Sequence, residues 1–397
     1  MTVIEIIFLV CLFLAFYTYI GYGIVLGLVL KIKQLVYGKP EAPRFAEAAL
    51  PQVSLVIAAY NEADILEEKI ANCLVLNYPK GKLTITFVTD GSTDKGPEII
   101  SGYPELKLLH EPARNGKIAA INRAMKLVDT PITVFTDANT YLSENAILDL
   151  VHPFADPSIG AVAGEKYIRA DEASAEASGK GEGLYWEYES LLKRMDAQLY
   201  SVVGAAGELY AIRTALFQEF EPDTLLDDFM LTLRIAMDGK RVSYRPEARA
   251  EEYPSSSLAE ELKRKVRICA GGIQSIVRLG GLLNPFKYGV LSFQYISHRV
   301  LRWTITPIAL LLLLPLNVVL AVNGGLLYTL LLIGQIVFYA MAYLGYRWQN
   351  RKVNVPGFFV PLYFCLMNYS VFAGFSRYMA GKQSVNWEKA KRAEAIS

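Results

Sequence analysis

Apolar residues are concentrated at the two ends of this 397-residue chain, and this arrangement restricts its fold more than any other feature. The first apolar run, residues 3–30, contains a single charged residue, Glu5. About 20 apolar residues suffice to span a bilayer. The run also lacks the basic start and short apolar core of a cleaved signal peptide. We therefore predict a membrane-spanning helix at this end of the chain.

Three more apolar runs lie near the other end, at residues 303–322, 324–346 and 356–379. Because 53% of all residues are apolar, the polar remainder is too small to bury four such runs inside a soluble domain. We predict that these runs span a membrane as well. The segment before them, residues 292–303, is apolar but carries basic side chains, which favours a helix at the membrane surface that turns inward at Pro307.

The basic residues that flank these runs predict part of the topology. Lys31, Lys33 and Lys39 follow the first run, and because positive residues stay in the cytoplasm, the next segment is expected to be cytoplasmic. The loop before the last run and the tail after it are both basic, although one full span would place them on opposite sides. Either the last run is tilted or re-entrant, or the charge rule fails there. The basic residues of this loop and tail are Arg347, Arg351, Lys352, Lys382, Lys389, Lys391 and Arg392.

Net charge and cysteine usage argue against several other classes of protein. The formal net charge is +1, so no global excess of positive charge favours a nucleic-acid partner. The spacing of the four cysteines fits neither a zinc site nor a disulfide framework. We interpret all four as free thiols in a reducing compartment.

The middle of the chain, after a Pro/Ala-rich linker at residues 38–51, alternates between short apolar strands and helices. Apolar strands separated by helices indicate a parallel sheet that is covered on both faces. Ligands of such sheets bind beyond the carboxyl ends of the strands. The strands are predicted at residues 53–60, 83–90, 106–111 and 132–137, and the helices at residues 62–75 and 117–128.

An acidic residue lies at the carboxyl end of three of these strands. These residues are Glu62, Asp90 and Asp137. One acid alone is more often a turn or a helix cap, but three at the same edge of a parallel sheet indicate a site. Because adjacent carboxylates repel each other, we expect a cation or several hydrogen-bond donors beside them.

Further charged residues accompany this edge. Lys117 follows Asn115-Gly116 just before a helix, which is either an anion site or a solvated basic turn. Asp227 and Asp228 interrupt an apolar run at the start of another helix. The next charged segment, residues 261–276, carries two arginines spaced three apart, on one face of a helix.

Taken in this order, these motifs resemble those of membrane-integrated family 2 glycosyltransferases, which include cellulose, chitin-oligosaccharide, poly-N-acetylglucosamine and hyaluronan synthases. The resemblance covers the chain from about residue 50 onward. It implies an α/β GT-A fold, Rossmann-like with a mostly parallel sheet, joined to one N-terminal and about three C-terminal transmembrane helices. The implied domains are residues 1–37 (transmembrane), 38–51 (linker), 52–284 (cytoplasmic GT-A domain) and 285–397 (interfacial and transmembrane).

The resemblance also implies a role for each matching residue. Asp228 matches the general base of the family. The implied nucleotide-sugar residues are Tyr60, Glu62, Asp90, Lys117, Asp137, Arg264 and Arg267. The implied acceptor-side residues are Gly207, Glu208 and Asp227, and the implied metal ligands are Asp137 and Asn139.

The chemistry explains these residue types. A carboxylate takes the proton of the attacking hydroxyl, while a cation and basic groups neutralise the leaving diphosphate. Mg²⁺ or Mn²⁺ suits the oxygen ligands. With acid and base on opposite faces of the sugar, the expected product is β-linked. The sequence departs from the family at Asn139, where an aspartate is usual, and at Ile268, where a tryptophan grips a growing polymer.

We therefore expect an inverting hexosyltransferase of a bacterial-type plasma membrane. It would move sugar from a UDP-sugar to a polysaccharide or oligosaccharide, with export of the product as a further expectation. The alternative is a non-processive enzyme that makes a glycolipid, like a ceramide glucosyltransferase, because Ile268 replaces the polymer-gripping tryptophan. We do not favour a transporter, because it would need polar residues within the spans. We do not favour a non-catalytic relative either, because it would have lost one of the acids.

Overall fold

The computed structural model describes residues 1–38, 43–168, 177–255, 257–349 and 357–381, with backbone alone for residues 177–185 and 349. Part of the predicted linker lies outside this range. So do Lys39, Arg351, Lys352 and the basic tail, on which the topology prediction partly depends.

Eight strands and fifteen helices make up the described part of the chain. The strands are β1 (Val53–Ala59), β2 (Leu83–Asp90), β3 (Leu106–Glu111), β4 (Ile132–Asp137), β5 (Tyr141–Leu142), β6 (Ile159–Ile168), β7 (Leu209–Arg213) and β8 (Arg241–Glu252). The helices that precede β8 along the chain are α1 (Val3–Phe16), α2 (Tyr22–Tyr37), α3 (Ala63–Leu74), α4 (Gly96–Ser101), α5 (Lys117–Met125), α6 (Ala146–Val151), α7 (Ala177–Leu199) and α8 (Asp227–Met237). The later helices are α9 (Leu258–Arg278), α10 (Pro285–Tyr288), α11 (Val290–Tyr295), α12 (Leu301–Trp303), α13 (Ile305–Val322), α14 (Leu326–Gln349) and α15 (Phe359–Met379).

All eight strands belong to one sheet, in the order β3-β2-β1-β4-β7-β6-β8-β5. The four predicted strands are its first four, and they run parallel as expected. Strand β7 is antiparallel to β4 and β6, whereas β6 and β8 are parallel. The sheet is therefore mixed rather than purely parallel, and its parallel part brings the carboxyl ends of β1, β2 and β4 to one edge.

Strand β1 is apolar throughout because both of its faces are covered. Side chains alternate between the faces of a strand. Val53, Leu55 and Ile57 belong to one hydrophobic core, with helices α3 and α6. Val56 belongs to the other core, with helices α5, α8 and α9. Both faces of this strand are covered, so a ligand can approach it only at its ends. The polar residues that follow the strand therefore lie at the open edge of the sheet.

Four helical segments in the described part of the chain are long and apolar enough to cross a membrane: Val3–Tyr37, Ile305–Val322, Leu326–Trp348 and Phe359–Met379. Their number and positions match the predicted spans. Helix α15 runs unbroken for 21 residues. Pro361 lies in its first turn, where a missing N–H costs little, so this proline does not interrupt the helix.

The segment before α13 is helical but contacts the protein through its charged side chains. A π-helical stretch, Ile296–Val300, joins α11 to α12, and the helix breaks at Thr304 (φ −132°, ψ −87°) rather than at Pro307. His298 and Arg302 are buried. These side chains therefore pair with acids of the protein instead of facing a membrane surface.

Candidate active site

The loop after β1 is held by the loop after β2. The Asn61 Oδ1 atom accepts a hydrogen bond from the backbone N–H of Thr93 at 2.8 Å. The backbone N–H of Ala63 donates to Asp94 Oδ2, also at 2.8 Å. Asn61 adopts a left-handed φ of 50°, which asparagine tolerates better than most residues. Two of the predicted strand-end loops therefore form one unit, with Glu62 buried inside it.

Asp90, at the end of β2, shapes the loop that precedes α5. Its Oδ2 atom accepts hydrogen bonds from the backbone N–H groups of Asn115 at 2.7 Å and Gly116 at 2.6 Å. Its Oδ1 atom lies 3.3 Å from the guanidinium of Arg123. The carboxylate thus organises the turn from which Lys117 projects, a role that the sequence did not indicate.

A cleft lies over the carboxyl ends of β1 and β2. It is lined by Tyr60, Asp90, Arg114, Lys117 and small residues of the strand ends. The Arg114 guanidinium carbon lies 3.9 Å from the centroid of the Tyr60 ring. A planar cation on an aromatic face is a favourable contact, and a flat nucleotide base could use the same aromatic face.

Lys117, the first residue of α5, connects the two acidic parts of the site. Its Nζ atom lies 2.9 Å from Asp137 Oδ1 and 3.6 Å from Asp227 Oδ2. Burial alone would lower the pKa of Lys117, but Asp137 and Asp227 outweigh it and the pKa is raised. The lysine is therefore charged and neutralises part of the cluster, as the repulsion between adjacent acids required.

The turn after β4 presents Asp137 and Asn139. The hydroxyl of Thr140 donates to the backbone carbonyl of Asp137 at 2.9 Å, and the buried Lys69 Nζ donates to the Thr140 carbonyl at 2.5 Å. Burial lowers the pKa of Lys69, against the opposing effects of Cys73 and Asp137. The Asn139 Oδ1 atom is buried and has no hydrogen-bond partner among the residues that the structure describes.

These oxygens fit a divalent cation that is shared with a ligand. Asp137 offers a carboxylate and Asn139 an unpaired amide oxygen, both hard donors that suit Mg²⁺ or Mn²⁺. Within the described ranges, no group of three or more His, Cys, Asp or Glu side chains could hold a metal by itself. The remaining ligands would have to come from a bound molecule, such as a diphosphate.

Asp228 lies beside Asp227 at the start of α8 and faces the loop that contains Gly207. A Cβ atom placed on Gly207 would be 3.5 Å from Asp228 Oδ2. Burial and the neighbouring Asp227 carboxylate raise the pKa of Asp228 to about 7, against the opposing effect of Lys117. A carboxylate with such a pKa can accept a proton near neutral pH.

Glu208 and Arg264 form a separate charged group. Lys166 Nζ lies 2.8 Å from Glu208 Oε1, and Arg264 lies 3.9 Å from the same oxygen. Burial would raise the pKa of Glu208, but Lys166 and Arg264 outweigh it and lower the pKa. Arg264 also pairs with Glu261 at 3.0 Å. The structure therefore joins Arg264 to the predicted acceptor side rather than to Lys117 and Asp137.

Arg267 lies three residues after Arg264 on α9 and has different surroundings. It is half-buried and makes no ion pair or hydrogen bond with any described residue. Gly271, four residues later on the same helical face, packs against Leu226, where a Cβ atom would lie only 2.6 Å from Leu226 Cγ. This close contact brings the α9 face that carries Arg267 next to the start of α8 and Asp227.

Sequence reasoning missed several polar residues around the site. Lys69 was recognisable as a lysine on the apolar face of α3, between Leu66 and Ile70. Tyr210 gave no signal, because a tyrosine in a buried strand is usually core. Its hydroxyl is buried without a partner in the described part of the chain, and burial and the nearby acids of the site raise its pKa.

Comparisons with known proteins agree with this architecture. A solved mannosyltransferase from Pyrobaculum calidifontis, in complex with GDP-Man and Mn²⁺, superposes with a TM-score of 0.71 at 21% identity, over 96% of this chain and all of that one. The fold is therefore that of the GT-A glycosyltransferases, as predicted. The chain belongs to the glycosyltransferase-like family 2, whose model matches residues 51–271, and it is a glycosyltransferase.

Two curated relatives illustrate the range of the family. A poly-beta-1,6-N-acetyl-D-glucosamine synthase of Staphylococcus aureus is 25% identical over 258 residues, which cover 62% of this chain and 60% of that protein. A beta-monoglucosyldiacylglycerol synthase of Nostoc is 30% identical over 205 residues, 48% of this chain and 42% of that protein. The chain thus matches about half of the length of these relatives.

Proposed function

We propose that this glycosyltransferase moves a hexose from a UDP-sugar to a hydroxyl group of a glycan or lipid acceptor and inverts the anomeric configuration. The observation that carries this proposal is Asp228, a carboxylate with a pKa of about 7 beside the charged pair of Lys117 and Asp137. Proton acceptance at Asp228 and charge neutralisation at the diphosphate are the two requirements of the reaction. Both lie at the ligand-binding edge of the sheet.

The donor binds in the cleft over β1 and β2 in this proposal. The uracil base stacks on Tyr60, whose ring face accepts a planar cation from Arg114. Asp90, which organises the loop before α5, and Glu62, which is buried in the loop after β1, bind the nucleoside. Lys117 and Arg267 approach the diphosphate, because one is charged in the cleft and the other lies beside the start of α8 with no ion pair in the described part.

Asp137 and Asn139 hold a divalent cation together with the diphosphate in this proposal. When bound, such a cation supplies positive charge that stabilises the leaving group. The unpaired oxygen of Asn139 supports it as a neutral ligand. Because the protein then contributes a single negative charge, Mg²⁺ or Mn²⁺ affinity would depend strongly on the bound nucleotide.

The acceptor approaches from the side of Gly207, Glu208 and Asp227. Asp228 takes the proton of the attacking hydroxyl, and Gly207 leaves room beside it. Arg264 and Lys166 fix Glu208 on this side through ion pairs. We therefore reassign Arg264 from the nucleotide side to the acceptor side.

We favour a glycan acceptor, with the glycolipid product as a second candidate. The polysaccharide synthase of Staphylococcus aureus supports the first, and the glucolipid synthase of Nostoc together with Ile268 supports the second. We also propose the domain division at residues 37, 51 and 284, with the catalytic domain in the cytoplasm. The four span-length helices support membrane integration.

The test is UDP release by the detergent-purified protein, with a panel of UDP-sugars and either Mg²⁺ or Mn²⁺. We expect release with at least one hexose donor, and a β-linked product by NMR. Product length by mass spectrometry separates a polymer from a single addition. No UDP release with any donor, in the presence of glycan and diacylglycerol acceptors, would contradict the proposed function.

A further inference from the structure

Lys117 forms an ion pair with Asp137, the carboxylate that would hold a divalent cation. Its ammonium group lies 2.9 Å from Asp137 Oδ1 and 3.6 Å from Asp227 Oδ2. The three side chains are largely enclosed, with exposed fractions of 16%, 16% and 9%. Solvent therefore screens their charges weakly.

The backbone fixes Lys117 in this place. It is the first residue of α5, directly after Gly116. The N–H groups of Asn115 and Gly116 both donate to the Asp90 carboxylate, at 2.7 and 2.6 Å. These bonds hold the start of the helix, so Lys117 would leave Asp137 through a movement of its side chain.

The protein offers a divalent cation few charged ligands at this turn. Asn139 contributes an uncharged oxygen, so the protein offers the cation one carboxylate, and Lys117 already neutralises it. A divalent cation at Asp137 would also lie close to the ammonium charge, and like charges at such distances repel strongly.

We propose that Lys117 is a resident cation that keeps the metal away from Asp137 until a nucleoside diphosphate binds. The diphosphate attracts the ammonium group and supplies the missing oxygens, so Asp137 becomes available as a ligand in the same event. Metal binding is then strictly dependent on the nucleotide. This inference rests on the proposed function, because it assumes a diphosphate donor in the cleft.

The test measures Mn²⁺ binding to the full-length protein in detergent by the electron paramagnetic resonance signal of free Mn²⁺. We expect no bound Mn²⁺ at sub-millimolar concentrations for the wild type alone, and one equivalent when UDP is added. Lys117→Met should bind Mn²⁺ without UDP, at least tenfold more tightly than the wild type. Lys117→Arg retains the charge and should keep Mn²⁺ excluded. Lys126→Met, in an exposed lysine just after the same helix, is the matched control and should behave as the wild type.

A second measurement needs no variant and so covers a Lys117→Met protein that fails to fold. Uridine fills the base site without phosphates and should leave Mn²⁺ unbound to the wild type, whereas UDP should recruit it. Equal Mn²⁺ binding with uridine and UDP, or tight binding without nucleotide, would overturn the inference. If UDP itself fails to bind in the presence of Mn²⁺, the proposed function fails instead.

Discussion

At the scale of single residues, the site depends on how neighbouring charges set each ionisable group. Asp228 has a raised pKa because it is buried beside Asp227, and Lys117 compensates only part of that repulsion. Glu208, directly before β7, has a lowered pKa because Lys166 and Arg264 outweigh its burial. One acid is thus prepared to accept a proton, while the other stays ionised as a structural anion.

The raised pKa of Asp228 predicts the pH dependence of catalysis. The general base must be deprotonated, so kcat/KM should rise with pH, about tenfold per unit below the pKa, and level off above about pH 7. Steady-state UDP release between pH 5 and 9 measures this profile, since kcat/KM reports the free enzyme. A profile that stays flat down to pH 5 would disagree with Asp228 as the base.

The sequence indicated the individual acids but not their partners. Asp137 and Asp228 were recognisable because each interrupts an apolar run. The contact of Lys117 with Asp227 joins residues 110 positions apart, and Glu208, directly before β7, pairs with Lys166 in β6. Only the tertiary fold determines such contacts, so the sequence could not indicate that Arg264 lies beside Glu208.

At the scale of elements, the site is built from loops that support each other across the sheet edge. The first four strands were predictable because they are continuous apolar runs, and their parallel order follows from the intervening helices. The antiparallel pairing of β7 with β4 was not predictable, because it joins segments such as Thr133 and Ile212 that are distant in the chain. That pairing brings the Gly207 loop to the same edge as Asp137.

Gly91, in the loop after β2, has no room for a side chain. It has a φ of 67°, and a Cβ atom there would lie 2.4 Å from Arg114 Cβ. Gly91→Ala should therefore displace the Arg114 loop and weaken UDP binding about tenfold or more, in addition to a strain of about 1–2 kcal/mol. Isothermal titration with UDP measures the effect.

Gly81→Ala is the matched control for this substitution. Gly81 has a similar φ of 78°, but nothing lies within 4 Å of its Cβ position. It should lose comparable stability from strain and retain wild-type UDP affinity. Equal UDP affinities for the two variants would show that the loop contact at Gly91 does not shape the nucleotide site.

At the scale of the whole molecule, a buried charged cluster joins the catalytic part to the segment that enters α13. Glu189, on α7, lies 2.6 Å from Arg299, 2.9 Å from Arg302 and 3.3 Å from His298. Helix α9 reaches α15 through a contact of Tyr363 with Glu261 at 3.4 Å. The spans were predictable from composition alone, but this cluster was not, because its members are about a hundred residues apart.

Removing the Glu189 charge should destabilise the whole protein. Glu189→Gln removes the buried carboxylate shared by Arg299, Arg302 and His298, and removing one partner of a buried ion pair costs about 3–5 kcal/mol in comparable cases. We expect the unfolding temperature in detergent to fall by about 5 °C or more. Glu187→Gln, at an exposed position on the same helix, should leave it unchanged. Equal unfolding temperatures would mean that the cluster does not hold the two parts together.

Asp228→Asn separates the proposed role of Asp228 as the base from nucleotide binding, because turnover and UDP affinity can be compared in one variant. The substitution keeps the shape of the side chain but removes its ability to accept the proton. We predict that UDP affinity in the presence of Mn²⁺ stays within about twofold, while kcat falls by about 10²–10⁴-fold. Wild-type turnover by a folded Asp228→Asn protein would exclude Asp228 as the general base.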